Sequence, residues 1–232
     1  MFVVAVMGCL PLCPEFARAG GIINLGLGKS IVLSSVLQTT GKAVQIGDDV
    51  FGNFQFSYVD TDGIASDNLR ASDVVLKALQ DQFGYGFSLQ MPLSASGDVV
   101  KDVVVEFSVK ETDPGMPISD DHLQMDAETT GKGLADTSET IFMGGFGVGS
   151  IGSMDVNTSG ALDSSVKFSV PECMIYVEKD ILVTGNSDCR DAATICSIEQ
   201  EFSQIPEPST WMLVGLGLLG VLKCHSVRRR AR

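Results

Sequence analysis

Residues 102–110 read Asp-Val-Val-Val-Glu-Phe-Ser-Val-Lys, and this stretch decides the fold class. Apolar side chains at Val103, Val105, Phe107 and Val109 alternate with the residues between them, two of which are polar. An apolar side chain at every second position is typical of a β-strand that buries one face. The stretch therefore predicts a half-buried strand.

The same period of two occurs in stretches on both sides of it. Turn-forming residues, mostly Gly, Pro, Asn and Asp, separate these stretches at short spacing, which is typical of antiparallel all-β domains. About nine to eleven strands are expected, too many for one open sheet, so we predict an antiparallel two-sheet β-sandwich of jelly-roll type over residues 20–204. The further alternating positions are Phe54, Phe56 and Tyr58, and Val166, Phe168 and Val170.

Two segments of the body are less regular. The apolar residues in 67–82 match a helical period and a strand period only loosely, and we favour a strand near Asp73–Leu79 over a single helix. Residues 144–160 are rich in glycine and contain no aromatic residue after Phe146, so a loop is expected there.

The amino-terminal end predicts export. An apolar run over residues 2–12 precedes Ala17-Arg18-Ala19, which offers small residues at the two positions that a signal peptidase reads. We expect residues 1–19 to be a signal peptide cleaved after Ala19, although no basic side chain precedes Cys9. A buried N-terminal strand and a lipoprotein signal ending at Cys9 are the alternatives.

The carboxyl-terminal end, residues 205–232, predicts a membrane segment. Prolines at 206 and 208 precede an apolar run from Trp211 to Leu222, and a proline cannot continue a helix backwards, so we predict a transmembrane helix over 209–224. The run is shorter than the roughly 20 residues that span a bilayer, so polar residues at its edges must complete the span.

Basic residues set the orientation of this segment. Arg228, Arg229 and Arg230 follow the apolar run, and clustered arginines are typical of the cytoplasmic side of a membrane. Trp211 suits the opposite interface. With the amino-terminal end exported, the body lies outside and the Arg-rich tail lies in the cytoplasm.

These features together resemble the PEP-CTERM sorting signal of exported bacterial proteins. The signal consists of a Pro-Glu-Pro triplet, here Pro206, Glu207 and Pro208, then a short Gly-interrupted apolar helix and a terminal Arg cluster. The resemblance implies that an exosortase, a membrane-embedded cysteine protease, recognises the triplet, cuts near it and passes the body to the envelope or the outside. A plain single-span anchor with a Pro-rich stalk is the alternative.

The body also looks like a β-sandwich domain that is common in such exported proteins. This second resemblance carries no catalytic residue, and it rests on residues 46–54, 139–141, 179–181 and 198–202.

Charge excludes one class of partner. The formal net charge is −13, so the long-range field repels phosphate backbones and argues against nucleic-acid binding. Residues 20–205 alone contain ten Lys and Arg against 27 Asp and Glu, a net charge near −17. The 44% hydrophobic and 19% charged content also excludes intrinsic disorder.

Three cysteines stay in the body after loss of both ends. We predict a disulfide between Cys189 and Cys196, which closes a short loop and stabilises by about 2 to 3 kcal/mol, with Cys173 free and buried. A pairing through Cys173 is the alternative.

Metal sites have few candidates. Asp60, Asp62 and Asp67 cluster around a turn and form a weak calcium candidate, although the EF-hand spacing fails. If residues 120–126 form a strand, Asp120, His122, Gln124 and Asp126 share one face, which we expect to be solvated and not a metal site. We therefore expect no required cofactor.

The expected function is that of a non-enzymatic exported protein of the envelope or extracellular matrix. Its expected partners are signal peptidase, the exosortase, the membrane before processing and, through what the tail implies, surface polysaccharide or the biofilm matrix. A carbohydrate- or calcium-binding β-sandwich module is the alternative. A hydrolase with paired carboxylates in a cleft and a permanently anchored receptor domain are the competing classes.

Overall fold

The computed structural model describes residues 20–61, 68–113, 115–186 and 190–205, which form thirteen strands and two short 3₁₀ helices. The strands are β1 (Gly21–Asn24), β2 (Ser30–Val32), β3 (Lys42–Ile46), β4 (Asp49–Asp60), β5 (Val75–Gln80), β6 (Tyr85–Ser96), β7 (Val100–Glu111), β8 (Ile118–Thr130), β9 (Leu134–Phe142), β10 (Ser150–Asn157), β11 (Asp163–Glu172), β12 (Met174–Thr184) and β13 (Ala192–Gln204). The 3₁₀ helices span Leu33–Ser35 and Gln38–Thr40.

The strands form two sheets. Sheet A has the order β1-β3-β4-β7-β12-β9-β10 and sheet B the order β11-β8-β13-β6-β5-β2. All strand pairs are antiparallel except β1 with β3. Each connection from β6 to β13 crosses between the sheets, except the β9–β10 hairpin. The two sheets therefore form one sandwich, and the predicted all-β two-sheet fold is confirmed.

Five phenylalanines join the sheets at the centre of the core. Phe51 and Phe107 come from sheet A, and their rings lie 5.1 Å from that of Phe87 in sheet B, in edge-to-face contacts. Phe54 and Phe202 complete the group and are also fully buried. Such contacts add to the burial of large apolar surfaces. Val103, Val105 and Val109 pack in the same core, so the predicted alternation of β7 is confirmed.

A bulge in β4 lets two of these rings face inward from positions three apart. The register between β4 and β7 shifts between Gly52 and Gln55, and Asn53 adopts a left-handed conformation with φ 55°. Asn53 Nδ2 donates to Ser108 Oγ at 2.9 Å, which holds the bulge. Without the extra residue, Phe51 and Phe54 would lie on opposite faces of the strand.

The two irregular segments have different outcomes. The predicted strand near 73–79 is confirmed as β5. The predicted loop over 144–160 is wrong for its second half, because β10 pairs with β9 there. In β10, Met154 and Val156 are buried, whereas Ser153 and Asp155 are exposed. Small neighbouring residues make this period of two difficult to recognise in the sequence.

The predicted signal peptide (1–19) and transmembrane helix (209–224) lie outside the described residues. Within the described ranges, no helix is long and apolar enough to cross a membrane.

A polar cluster lies inside the sandwich between the sheets. Lys179 of β12 is fully buried and donates to Glu139 Oε2, which lies directly opposite on β9, and to Gln200 Oε1 on β13. Gln200 Nε2 donates in turn to Asp121 Oδ1 on β8 and, at 3.1 Å, to Glu139 Oε1. We call these four residues the core polar cluster.

The charges of the core polar cluster balance. Lys179 and Glu139 form a buried ion pair. Burial, and then the charge of Glu139, raises the pKa of Asp121 well above its ordinary value, which favours the neutral form of its carboxyl group. A buried ion pair contributes little net stability, but removing one partner leaves an uncompensated charge.

The substitution Lys179→Met tests this cluster. It leaves the carboxylate of Glu139 buried without its cation, so we expect a loss of about 3 to 5 kcal/mol in unfolding free energy. Urea unfolding, followed by the far-UV circular dichroism of the backbone, measures this loss of unfolding free energy. Lys77→Met, on the exposed face of β5, is the matched control and should change stability by no more than about 0.5 kcal/mol. Equal effects of the two substitutions would contradict the assignment.

Candidate functional site

The end of β13 fixes where the chain leaves the described body. Gln204 Nε2 donates to Asp49 Oδ1 at 3.1 Å, and the backbone amide of Ile205 donates to the carbonyl of Pro117 at 3.2 Å. Ile205 is followed directly by Pro206. We call Asp49, Pro117, Gln204 and Ile205 the exit anchor, because these contacts hold the last described residues against the sandwich.

A pair of carboxyl groups lies at the exit anchor. Asp49 faces Glu111 directly across the β4–β7 pair, and both are buried. Burial, and then the charge of Glu111, raises the pKa of Asp49 well above its ordinary value. Burial also raises the pKa of Glu111 to about 7, although the backbone amides of Asp113 and Thr112 donate to its Oε1. The pair therefore holds at least one proton near neutral pH.

The opposite end of β4 borders an open cleft of about 670 Å³, which we call the distal cleft. Its lining consists of residues 56–60 and 68–70. The Tyr58 hydroxyl donates to Asp60 Oδ2 at 2.6 Å, and Lys101 Nζ lies 3.8 Å from the same oxygen. Half-buried aromatic rings beside hydrogen-bonding side chains suit a small polar ligand.

A smaller cleft of about 320 Å³ lies at the same end, between residues 94–96 and 192–194 and beside Lys101. The lining of the distal cleft on β4 begins at Phe56, seven residues after Asp49, so at roughly 3.3 Å per residue about 23 Å separates this cleft from the exit anchor. The sandwich thus has one end where the chain leaves and one end with open clefts.

The outer face of sheet B holds a buried histidine. His122 and Glu201 lie directly opposite each other on β8 and β13, and the ring of Phe83 stacks on His122 with 3.8 Å between centroids. His122 is only 6% exposed, so the prediction of a solvated face is wrong at this residue, whereas Gln124 and Asp126 are exposed as predicted. The turn between β5 and β6 carries Phe83 over the sheet, and this long-range contact has no local sequence signal.

Glu201 is a buried carboxyl group with a strongly raised pKa. Burial, followed by the nearby charges of Asp81 and Glu199, raises its pKa to about 8, against a smaller opposing effect of Lys179. A neutral side chain is therefore favoured at Glu201 near neutral pH.

The outer face of sheet A carries a row of acidic side chains. Burial and the neighbouring Asp180 raise the pKa of Asp102 to about 6. Across the described ranges, no group of three or more His, Cys, Asp or Glu residues is placed to hold a metal ion. The row consists of Asp102, Glu106, Asp136, Asp155, Glu178 and Asp180.

Of the calcium candidates, Asp60 belongs to the distal cleft and contacts Tyr58 and Lys101. Asp62 and Asp67 lie outside the described residues. Among the described residues, the structure therefore brings Asp60 together with a cation and a hydroxyl group.

The predicted Cys189–Cys196 disulfide is wrong. The thiol of Cys196 is free and exposed, because Cys196 occupies the position at which the register of β13 shifts against both neighbouring strands. Cys173 is disulfide-bonded, as in the alternative pairing, to a residue outside the described ranges. Cys189 also lies outside them.

The predicted sorting residues Pro206, Glu207 and Pro208 lie outside the described residues. The same holds for the tail residues Trp211, Arg228, Arg229 and Arg230. The structure places only the residues that lead into this segment.

The alternation of the sequence also indicates two buried charged side chains, which were not among the predictions. Glu111 continues the inward alternation of Val103 to Val109, and Lys179 lies between the inward residues Val177 and Ile181. A charge at an inward position of a strand indicates a buried polar contact. Gln204 lies at the end of its strand, where alternation carries no such information.

Comparison with known families identifies the tail. Residues 204–230 match the PEP-CTERM protein-sorting motif, so the predicted PEP-CTERM signal is confirmed. Such a motif implies an exported protein that an exosortase sorts. No protein of curated function matches the chain in sequence.

Several solved structures are similar in fold to part of the chain. TmCBM61 in complex with β-1,4-galactotriose is 15% identical over 66% of this chain and 88% of its own, with a TM-score of 0.29. TmCBM27, a carbohydrate-binding module with specific mannan recognition, is 11% identical over 76% and 96%, with a TM-score of 0.30. CsCBM6-3 from Clostridium stercorarium in complex with cellobiose is 16% identical over 64% and 93%, with a TM-score of 0.25. These values are too low to transfer a ligand or an activity.

The raised carboxyl pKa values predict a pH dependence of stability. The folded protein binds more protons than the unfolded chain between about pH 4 and 8, because Glu201, Glu111 and Asp102 titrate higher when folded. Stability should therefore fall as the pH rises from about 5 to 8. Glu201→Gln removes the contribution of Glu201 to this loss of stability. We expect the change in unfolding free energy caused by the substitution to be more favourable at pH 8 than at pH 5, by about 1 to 3 kcal/mol.

Urea unfolding at both pH values measures this difference. Glu128→Gln, at an exposed position of β8, is the control and should leave the pH dependence unchanged. A stability that rises between pH 5 and 8 would contradict the burial of these carboxyl groups.

Proposed function

We propose that this protein is a non-enzymatic exported protein that an exosortase processes near Pro206–Pro208 and that acts at the cell envelope or in the extracellular matrix. The match of residues 204–230 to the PEP-CTERM protein-sorting motif is the observation that carries the proposal. Signal peptidase removes residues 1–19, the apolar run from Trp211 holds the precursor in the membrane, and the exosortase then separates the body from the tail.

The fold of the body supports this order of events. β13 is paired with β6 down to Phe202 and with β8 down to Gln204, where the strand ends before the triplet. Cleavage at or after the triplet therefore leaves every described strand and every described core residue in the body. The body after processing keeps the contacts described above.

The carboxyl groups also favour a non-enzymatic role. A glycoside hydrolase needs two carboxyl groups about 5 to 10 Å apart with access for a sugar between them. Asp49 and Glu111 face each other in the interior, and among the described residues Asp60 is the one carboxylate that lines the distal cleft. Neither arrangement offers the acid and base of a hydrolase.

A second function is favoured by the distal cleft. Phe56 and Tyr58 offer ring surfaces beside the polar side chains of Asp60, Asn68 and Arg70, a combination that binds neutral saccharides through stacking and hydrogen bonds. The cleft lies at the opposite end of β4 from the exit anchor, so we expect a polysaccharide to reach it before and after processing. A calcium-binding form of this function stays a prediction, since it depends on Asp62 and Asp67.

Replacing Pro206, Glu207 and Pro208 together by alanine tests the proposed processing. We expect the variant to stay in the membrane fraction with its tail, because the exosortase no longer recognises it. Intact mass and peptide mapping of protein from the envelope and medium of the native host measure the outcome.

A triple-alanine variant at Gln124, Asp126 and Glu128 is the matched control, since these residues lie on the exposed face of β8. The control and the unaltered protein should both lose the tail near the triplet. A tail that stays attached in the unaltered protein would show a permanent anchor and would refute the sorting proposal.

The saccharide function is tested by Arg70→Ala and Tyr58→Ala. Each removes a hydrogen-bonding group from the distal cleft, so affinity for exopolysaccharide of the native host should fall about tenfold. Affinity electrophoresis in gels that contain this polysaccharide measures the change, with Lys77→Ala as the control. Unretarded migration of the unaltered protein would refute this function and leave the sorting proposal standing.

A further inference from the structure

The connection between the folded body and the sorting motif is one residue long. β13 ends at Gln204, and Ile205 alone separates it from Pro206. β13 is an interior strand of sheet B, paired with β6 on one side and β8 on the other. The motif therefore follows one of the most constrained segments of the body, and no spacer lies between them.

The last residues before the motif are held from both sheets. Phe202 is fully buried in the aromatic core. Ser203 Oγ donates to Asp120 Oδ1. Gln204 is paired with Ile118 in sheet B and donates to Asp49 in sheet A at 3.1 Å.

Ile205 adds the last contact, through its amide to the carbonyl of Pro117 at 3.2 Å. Its side chain is 41% exposed and contributes little to the core. The exit anchor is thus a short series of hydrogen bonds at the margin of the sandwich, which can open without loss of the aromatic core.

A protease binds its substrate as an extended segment of several residues, and a folded segment must open before it is cleaved. Residues upstream of Pro206 are in the anchor, so they cannot enter a protease site while the anchor is closed. We propose that the exit anchor gates exosortase processing: the bond from Gln204 to Asp49 must open before the motif is bound productively. This inference rests on the proposed sorting function and adds its regulation.

The gate gives the folded body a function in its own sorting. A closed anchor holds Gln204 and Ile205 against the sandwich, and an open anchor frees the last residues of β13 as an extended stalk. The rate of processing then follows the fraction of molecules in which the anchor is open, as for any protease whose cleavage is slow relative to opening and closing.

Two variants test the gate in the native host by pulse-chase measurement of tail loss. Gln204→Ala removes the bond to Asp49, so the open fraction and the processing rate should rise about fivefold. Gln204→Asn, whose amide is too short to reach Asp49, should behave in the same way. Gln124→Ala, an exposed glutamine on β8, is the matched control and should be processed at the unaltered rate.

A six-residue Gly/Ser insertion between Ile205 and Pro206 is the complementary variant. It leaves every described contact in place but supplies an extended stalk, so processing should be at least fivefold faster and no longer sensitive to Gln204→Ala. The same insertion between Gly147 and Val148, in an exposed turn, is its control. This variant keeps the test decisive even if the substitutions at Gln204 lower the yield of folded protein.

The outcomes separate the two proposals. Processing of the unaltered protein with unchanged rates in all variants overturns the gate and leaves sorting intact. If the insertion makes processing faster but Gln204→Ala and Gln204→Asn do not, the proposed role of the Gln204–Asp49 bond is refuted. No loss of the tail from the unaltered protein overturns the sorting function and the gate together.

Discussion

The buried ammonium group of Lys179 is the constraint on which the arrangement of the two sheets depends. It needs Glu139 from its own sheet and Gln200 from the other, and Gln200 in turn contacts Asp121. A shift of β12 by two residues against β9 would keep its apolar side chains inward but place Lys179 opposite Thr137 or Ile141 instead of Glu139. The cluster therefore selects one register among several that the apolar residues alone would allow, which is the best-supported role of buried polar groups.

This constraint reaches the end of the chain that carries the sorting motif. Gln200 and Gln204 lie four residues apart on the same face of β13, so the register that brings Gln200 to Lys179 also brings Gln204 to Asp49. The core polar cluster and the exit anchor are two contacts of one strand with the opposite sheet. The position of Gln204 and Ile205 at the margin of the sandwich is thus a consequence of the packing at its centre.

The predictable part of this fold is the part that local periodicity encodes. The alternation in β7 defines a strand and its buried face, and enough such strands imply a second sheet. β10 was not predicted, because the glycine and serine residues near Met154 and Val156 obscure the alternation of apolar and polar side chains. His122 was misjudged because its cover, Phe83, comes from a distant turn, and the cysteine pairing failed because a register shift exposes Cys196. Strand pairing and turn packing depend on contacts far apart in sequence, which a period of two does not report.

The candidate site divides in the same way. The sorting motif consists of consecutive residues read by a protein partner, so it is visible in the sequence without the fold. The distal cleft brings residues 56–60 next to 68–70, and Lys101 from β7 reaches Asp60 only in the folded sheet. Because β4 runs from the exit anchor to this cleft, the single strand sets the distance between the end at which the chain leaves the body and the end that carries the open cleft. The separation allows a body to be held or released at one end without a change in what it presents at the other.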